Sequence, residues 1–481
     1  MIKELQGFDE YITGLMKEWN VPGSAVAVLR GGEVVHSQGY GLRDMKQGLP
    51  VTPRTLFAIG STTKAFTGVA AGILVDQGKL EWDKPIREYL PSFKLFDPVA
   101  SERLTMRDLL THRSGLPRHD FVWYPHTPFS RREMVERLQY LEPTCDIRTR
   151  YQYQNLMFMT AGYLVEVISG QTWEDFVRQH IFQPLGMTGS HFSVEDARKT
   201  ADCSLPYDVE QERPVEIPYC DIQAIDPAGT IFSNLEDMTK WVAFQLGQGA
   251  GADQPIISAA ALAVTRSPQT IIRKEDLAYD FPEIKYPSYA MGWGVRSYRG
   301  HTALMHTGGI DGFIAYVILL PEDNIGVVTF ANLDGTDLPI VSAWTALDRL
   351  LGLEPLPWAE RFKNLKAKER EETNKQKEAL VSARHPDTQP SHPLEQYAGE
   401  YDHPGYGRLS ITLKDGSLLV DRNARQFKLQ HYHYDIFELV VKATEKNLPV
   451  TFLTGLDGSV SSLSAPMEEG VKNIVFTRVA K

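Results

Sequence analysis

The chain holds 481 residues, 42% hydrophobic and 23% charged, a length that suggests two or three domains and at least one large buried core. Fifty Lys and Arg stand against 61 Asp and Glu, and the net charge of −11 repels phosphate backbones, so no nucleic-acid partner is expected. No apolar run approaches the roughly 18 residues of a membrane-spanning helix, so no membrane partner is expected either.

From the N-terminus, Leu5, Phe8, Ile12, Leu15 and Met16 recur at helical spacing, predicting an amphipathic helix over residues 1 to about 20. Residues 24–30 and 33–40 flank Gly31-Gly32, the pattern of a β-hairpin with a two-glycine turn. A mainly helical stretch follows, from about 60 to 250. Further strands are predicted at 292–298, 313–320 and 325–332. Strands from both ends of a chain with helices inserted between them make an α/β (α+β) architecture. Near Leu353 the composition shifts. Residues 360–378 mix charges with few apolar positions and read as a solvated helical spacer, ending in the turn-rich stretch 385–393. From about 394 the pattern is all-β. Asp415-Gly416 and Asp457-Gly458 mark hairpin turns, and six to eight short strands suggest a small closed barrel. The expected domains are 1–355, 356–392 and 393–481.

The segment from Phe57 to Val75 carries the strongest chemical signal. Gly60 precedes Ser61, and an Ala/Val/Leu-rich run follows that is too apolar for a surface helix. Ser61 is therefore expected at a helix N-terminus, with Lys64 three residues on along the same face. A serine hydroxyl needs a neighbouring base, and a lysine amine serves only when burial and the helix dipole lower its pKa. The helix end also offers the Ser61 backbone N–H to a developing oxyanion. Tyr153-x-Asn155 stands just before a second apolar helix. A phenolate beside an ammonium can act as base or proton relay, and a carboxamide can hold a substrate amide. Third comes His306-Thr307-Gly308-Gly309, where the glycine pair lets a substrate approach the backbone.

Ser-x-x-Lys, Tyr-x-Asn and His-Thr-Gly-Gly in this order resemble the serine β-lactamase and penicillin-binding-protein superfamily, in its class C-like branch of esterases, D-aminopeptidases and D-alanyl-D-alanine carboxypeptidases. The segments around His112 and around Gly186-Met187 resemble that branch too. The likeness runs from about residue 8 to 350, and the barrel resembles a lipocalin-like domain. It implies an antiparallel sheet with helices, no cofactor, Ser61 as acylated nucleophile, Lys64 as proton acceptor and Tyr153 as second proton-transfer group. Asn155, His306, Thr307, Gly308 and Gly309 would contact substrate, with Ser61 and Gly309 N–H groups as oxyanion hole and His112 as a brace. One departure stands out. His306 replaces the lysine usual before Thr-Gly in β-lactamases and carboxypeptidases, which favours ester or peptide substrates over β-lactams.

The resulting expectation is a serine hydrolase acting on esters or small peptides, with D-residues preferred in some members of the branch. Capture of the acyl-enzyme by an amine, as in an acyltransferase or peptide cyclase, shares the same first step. A catalytically silent ligand-binding protein is the alternative from another class. Remaining features carry less. Three cysteines without CxxC spacing indicate neither disulfides nor a zinc site, and His431-x-His433 lacks a third ligand, so no metal is expected. The first ten residues show no signal-peptide core, so a cytoplasmic location is expected. Residues 119–129, aromatic and Pro-rich, are expected either at a pocket rim or as ordinary loop packing. The barrel is the expected surface of any homo-oligomer.

Overall fold

The computed structural model describes residues 2–247, 249, 255–422, 425–440 and 447–480. Its central feature is a nine-stranded antiparallel sheet. In spatial order the strands are Leu49–Pro50, Glu33–Asp44, Gly23–Arg30, Ile325–Ala331, Phe313–Leu320, His301–Ile310, Gly294–Tyr298, Ile284–Tyr289 and Thr270–Ile271. The N-terminal hairpin thus joins the C-terminal strands through Gly23–Arg30 and Ile325–Ala331, as the strand pattern predicts. Its turn needs glycine, since Gly31 and Gly32 have φ of +62° and +84°.

Both faces of the sheet are covered, and period-two alternation sorts the side chains. Ala25, Ala27, Leu29, Ala315, Val317 and Leu319 enter one core with the helices Lys64–Asp76, Asn155–Ser169 and Leu235–Leu246. Val26, Val28, Tyr316, Ile318 and Leu320 enter the other, under Phe8–Glu18 and Leu338–Leu350. Central strands buried on both faces read as continuous apolar runs, which is why Phe313–Leu320 was visible in the sequence. The strand His301–Ile310 was not. Its polar stretch from His306 to Gly309 hides it, and the glycine pair lies inside it.

The helix Trp358–Ser382 buries only Trp358 and Phe362, and the charged remainder faces solvent. Beyond it eight antiparallel strands from Gly399–His403 to Ile474–Arg478 form a closed barrel, sealed where Tyr401 pairs with Arg478. The barrel docks on residues 119–137. His119 Nδ1 lies 2.6 Å from Tyr406 Oη, and Arg137 donates to the Pro404 carbonyl at 2.6 Å. Any side chain at Gly407 would strike Phe129, 2.7 Å away. The aromatic stretch therefore packs against the second unit rather than only within its own loop. Among the described residues no helix is long and apolar enough to cross a membrane.

Candidate active site

Ser61 lies in the 3₁₀ turn Gly60–Thr63, which runs directly into the helix Lys64–Asp76. That helix is buried from Lys64 to Leu74, as its apolar run requires. The turn presses against the strand His301–Ile310. A methyl group on Gly308 would sit 1.9 Å from the Ile59 carbonyl oxygen, and one on Gly60 would sit 2.7 Å from the Gly309 nitrogen. Glycine is needed here because two backbones touch. Gly308 therefore makes room for the turn that carries Ser61, a backbone contact the sequence expectation did not include. Gly309 is different. It is exposed, and a methyl there would meet only Ile314 at 3.5 Å. The contact brings the backbone nitrogens of Ser61 and Gly309 to the same edge.

Lys64 is fully buried. Its Nζ lies 3.0 Å from Ser61 Oγ, 2.8 Å from Asn155 Oδ1 and 2.8 Å from the Ala228 carbonyl oxygen. The two latter atoms can only accept. A neutral amine has two N–H donors and one lone pair, so these acceptors take both donors and turn the lone pair to the Ser61 hydroxyl. Burial, then the nearby Arg118 guanidinium, hold the amine well below its ordinary pKa, with Asp120 opposing.

Tyr153 stands over the same amine, its ring centroid 4.8 Å from Lys64 Nζ. Burial raises the phenol above its ordinary value, while a hydrogen bond with Ser61 and the charge of Arg118 pull it down. Burial thus favours the neutral form of each group, phenol and amine, over the phenolate and ammonium considered from sequence. Asn155 opens the helix Asn155–Ser169, capped by Gln154, whose Oε1 accepts from the Leu156 N–H. Asn155 Nδ2 donates to Asp120 Oδ1 at 3.2 Å, and Asp120 is held by Arg118 and Trp123. This fixes the amide so that its oxygen faces Lys64.

His306 is buried with both ring nitrogens engaged. Nδ1 lies 2.5 Å from the Thr307 carbonyl, so it carries the proton, and Nε2 accepts from the Tyr289 hydroxyl at 2.8 Å. Burial, then Lys64, hold its pKa near 3. His112 is also fully buried. Its Nδ1 accepts from the Gln154 N–H and its carbonyl from the Gln152 N–H, which pins the loop carrying Tyr153. Thr307 is half-buried beside a cavity of about 180 Å³ bordered by Tyr153, His306, Asp276 and Arg296. Asp276 Oδ2 and Arg296 Nε are buried there with no hydrogen-bond partner among the described residues.

The structure thus gathers Ser61, Lys64, Tyr153, Asn155, His306, Thr307, Gly308 and Gly309. Sequence reading missed Arg118, Asp120, Ala228, Tyr289 and Arg296. Asp120 sat in the polar aromatic stretch, and nothing local tied it to Asn155. His431 and His433 stand apart from this centre. His431 Nε2 lies 2.9 Å from the Tyr434 carbonyl, and His433 Nδ1 accepts from the His385 N–H. Among the described residues no group of three His, Cys, Asp or Glu side chains could hold a metal ion.

The family described as Beta-lactamase matches residues 8–350, and a domain of unknown function (DUF3471) matches 383–478. The Unguisins hydrolase ungD' of Aspergillus campestris is 32% identical, covering 95% of this chain and 88% of its own. The Unguisins hydrolase ungD of Aspergillus violaceofuscus is 30% identical, covering 90% and 82%. Among solved structures, the octameric penicillin-binding protein homologue from Pyrococcus abyssi superposes with a TM-score of 0.66 at 22% identity, over 98% of this chain and all of that one.

Proposed function

The chain belongs to the beta-lactamase family of serine hydrolases, and on that premise we propose that it cleaves esters or small peptides through an acyl-enzyme on Ser61. The observation that carries this reading is the Lys64 coordination. Two pure acceptors engage the amine, and Ser61 Oγ lies 3.0 Å away, where the lone pair of a neutral amine would face it. A silent ligand-binding pocket has no need of that arrangement.

In the proposed sequence Ser61 passes its proton to Lys64 as Oγ attacks the substrate carbonyl carbon. The N–H groups of Ser61 and Gly309 receive the oxyanion. Tyr153 then donates its phenolic proton to the leaving amine or alcohol and regains one from the Lys64 ammonium, which returns the pair to phenol and amine. In the second half water attacks the acyl carbon and gives a proton to the Tyr153–Lys64 pair, the C–Oγ bond breaks, and that proton returns to Ser61 Oγ as the acid product leaves. His306, with both nitrogens engaged, is assigned to holding Tyr289 and the cavity wall in place of direct proton transfer. Arg296 and Asp276 offer a cation and an anion to a charged substrate end, which supports peptides or aminoacyl esters.

Two similar proteins carry the name hydrolase, which favours water over an amine as acyl acceptor. The test uses a fluorophosphonate probe and peptide mass mapping, followed by product analysis on D- and L-aminoacyl esters and amides with and without added amine. The expected adduct lies on Ser61 and disappears in Ser61→Ala. Labelling elsewhere, or none across several probe classes, overturns the reading.

A further inference from the structure

The barrel encloses a cavity of about 490 Å³, well inside the roughly 300–1,000 Å³ typical of small-molecule sites. Its wall is apolar, with Leu409, Ile411, Leu439, Val450 and Leu463 among its lining. Phe121, Tyr124 and Pro125, from the segment beside the active centre, close one end.

Three polar side chains interrupt this wall; Gln426 and Lys428 are exposed, and Arg422 is buried. Along the strand Ser417–Arg422 the buried positions alternate as Leu418, Val420 and Arg422, so an apolar inward row ends in a guanidinium. Arg422 is 6% exposed and borders the cavity. Its Nη1 and Nη2 are both buried and have no hydrogen-bond partner among the described residues. The rings of Phe121 and Tyr406 lie 5.8 and 6.0 Å from its Cζ. They attract the cation weakly but accept no directed hydrogen bond. Burial lowers its pKa to about 10, with only Tyr406 opposing, so the group is charged at neutral pH. A buried, unpaired charge is strongly unfavourable, and leucine at this position would remove that penalty. Planar, paired N–H donors suit the two oxygens of a carboxylate.

We propose that the barrel binds an apolar chain ending in a carboxylate, its tail along the aliphatic wall and its two oxygens on Arg422 Nη1 and Nη2. The lid formed by Phe121 and Tyr124 places this ligand next to the segment that carries Asp120. The site is chemically separate from Ser61, and binding there does not require catalysis.

The test is calorimetric titration of the delipidated full-length protein with dodecanoate below its micelle concentration, beside dodecanol of the same chain length. Saturable one-to-one binding of dodecanoate is expected, with dodecanol weaker. Arg422→Met should weaken dodecanoate by about 30-fold or more and leave dodecanol unchanged. Arg422→Lys should retain part of the affinity. Val420→Phe, which fills the cavity below the guanidinium, should weaken both ligands. The proposal fails if folded wild-type protein shows no saturable dodecanoate binding, or if the acid and the alcohol bind equally. It also fails if Val420→Phe leaves dodecanoate affinity intact, because the ligand then sits elsewhere. Should Arg422→Met not fold, the Arg422→Lys and Val420→Phe titrations decide.

Discussion

Lys64 and Arg422 are both buried basic residues whose pKa burial pulls down, yet their surroundings lead to opposite chemistry. Around Lys64 every direction is filled. Two acceptors take its N–H donors, and a hydroxyl faces its lone pair. An amine can lose its proton there and become a base. Around Arg422 lie the rings of Phe121 and Tyr406 and a largely aliphatic wall, and both terminal nitrogens lack a hydrogen-bond partner among the described residues. A guanidinium starts so high that the same environment leaves it charged. Burial makes a base of the residue that can deprotonate, and an anion receptor of the one that cannot.

The sharpest break of this contrast is to exchange the side chains' capacities. Lys64→Met should lower acylation by an activated ester about 10²–10⁴-fold, since the other group bonded to Ser61, the Tyr153 phenol, is held protonated by burial and is a poor base. Lys64→Arg should fare no better, because a guanidinium retains its proton even where burial is complete. In the wild type, single-turnover acylation should rise with pH while Lys64 deprotonates, then level off. The raised pKa of Tyr153 means no descending limb at moderately alkaline pH. Acylation by Lys64→Arg at wild-type rates would show that the base lies elsewhere.

Next in size is Gly308→Ala. Its methyl group would fall 1.9 Å from the Ile59 carbonyl oxygen, so the turn bearing Ser61 must move or the strand must bend. Displacements of about 1 Å at a reacting atom can lower rates ~10²-fold, and that loss is expected in kcat with barrel ligand binding untouched. Gly309→Ala, with only a 3.5 Å contact to Ile314, should fold well and affect activity less.

These two glycines mark how far the sequence reaches. Ser61 and Lys64 were legible because helical spacing alone brings them together. The hairpin, the run Phe313–Leu320 and the Asp-Gly turns of the barrel were legible because period and turn chemistry are local. The packing of Gly308 on Ile59 was not legible, because that neighbour is remote in sequence and touches it through backbone atoms. Asp120 and Ala228 complete the Lys64 site across 35 and 164 positions respectively, counted from Asn155 and Lys64, with no spacing rule to find them. Arg422 was hidden differently. An arginine in an alternating strand reads as an outward residue, and only the closed barrel turns it inward.

A smaller effect comes from the other cation. Arg422→Met removes an unpaired buried charge, so the ligand-free protein should be as stable as wild type or gain roughly 1–4 kcal/mol, read as a higher Tm. A marked loss of stability would mean that the guanidinium holds the barrel together, and the contrast with Lys64 would lose one side.

The smallest catalytic effect is expected at His306. Its ring already donates to the Thr307 carbonyl and accepts from Tyr289, so His306→Gln should leave acylation by an activated ester within about tenfold of wild type. Its larger signature is in stability against pH. The folded state holds this imidazole near 3, below the ordinary 6.5, so between those values the unfolded chain binds the extra proton. Stability from the neutral ring is therefore complete above about 6.5 and is lost as pH falls toward 3. His112 and His119, also depressed by burial, add slopes of the same sign in both proteins. Only the difference between wild type and His306→Gln isolates His306, and acid unfolding of the variant should be the shallower of the two. Parallel acid slopes would mean that His306 is protonated in the folded protein, and proton transfer at the site would then have to include it.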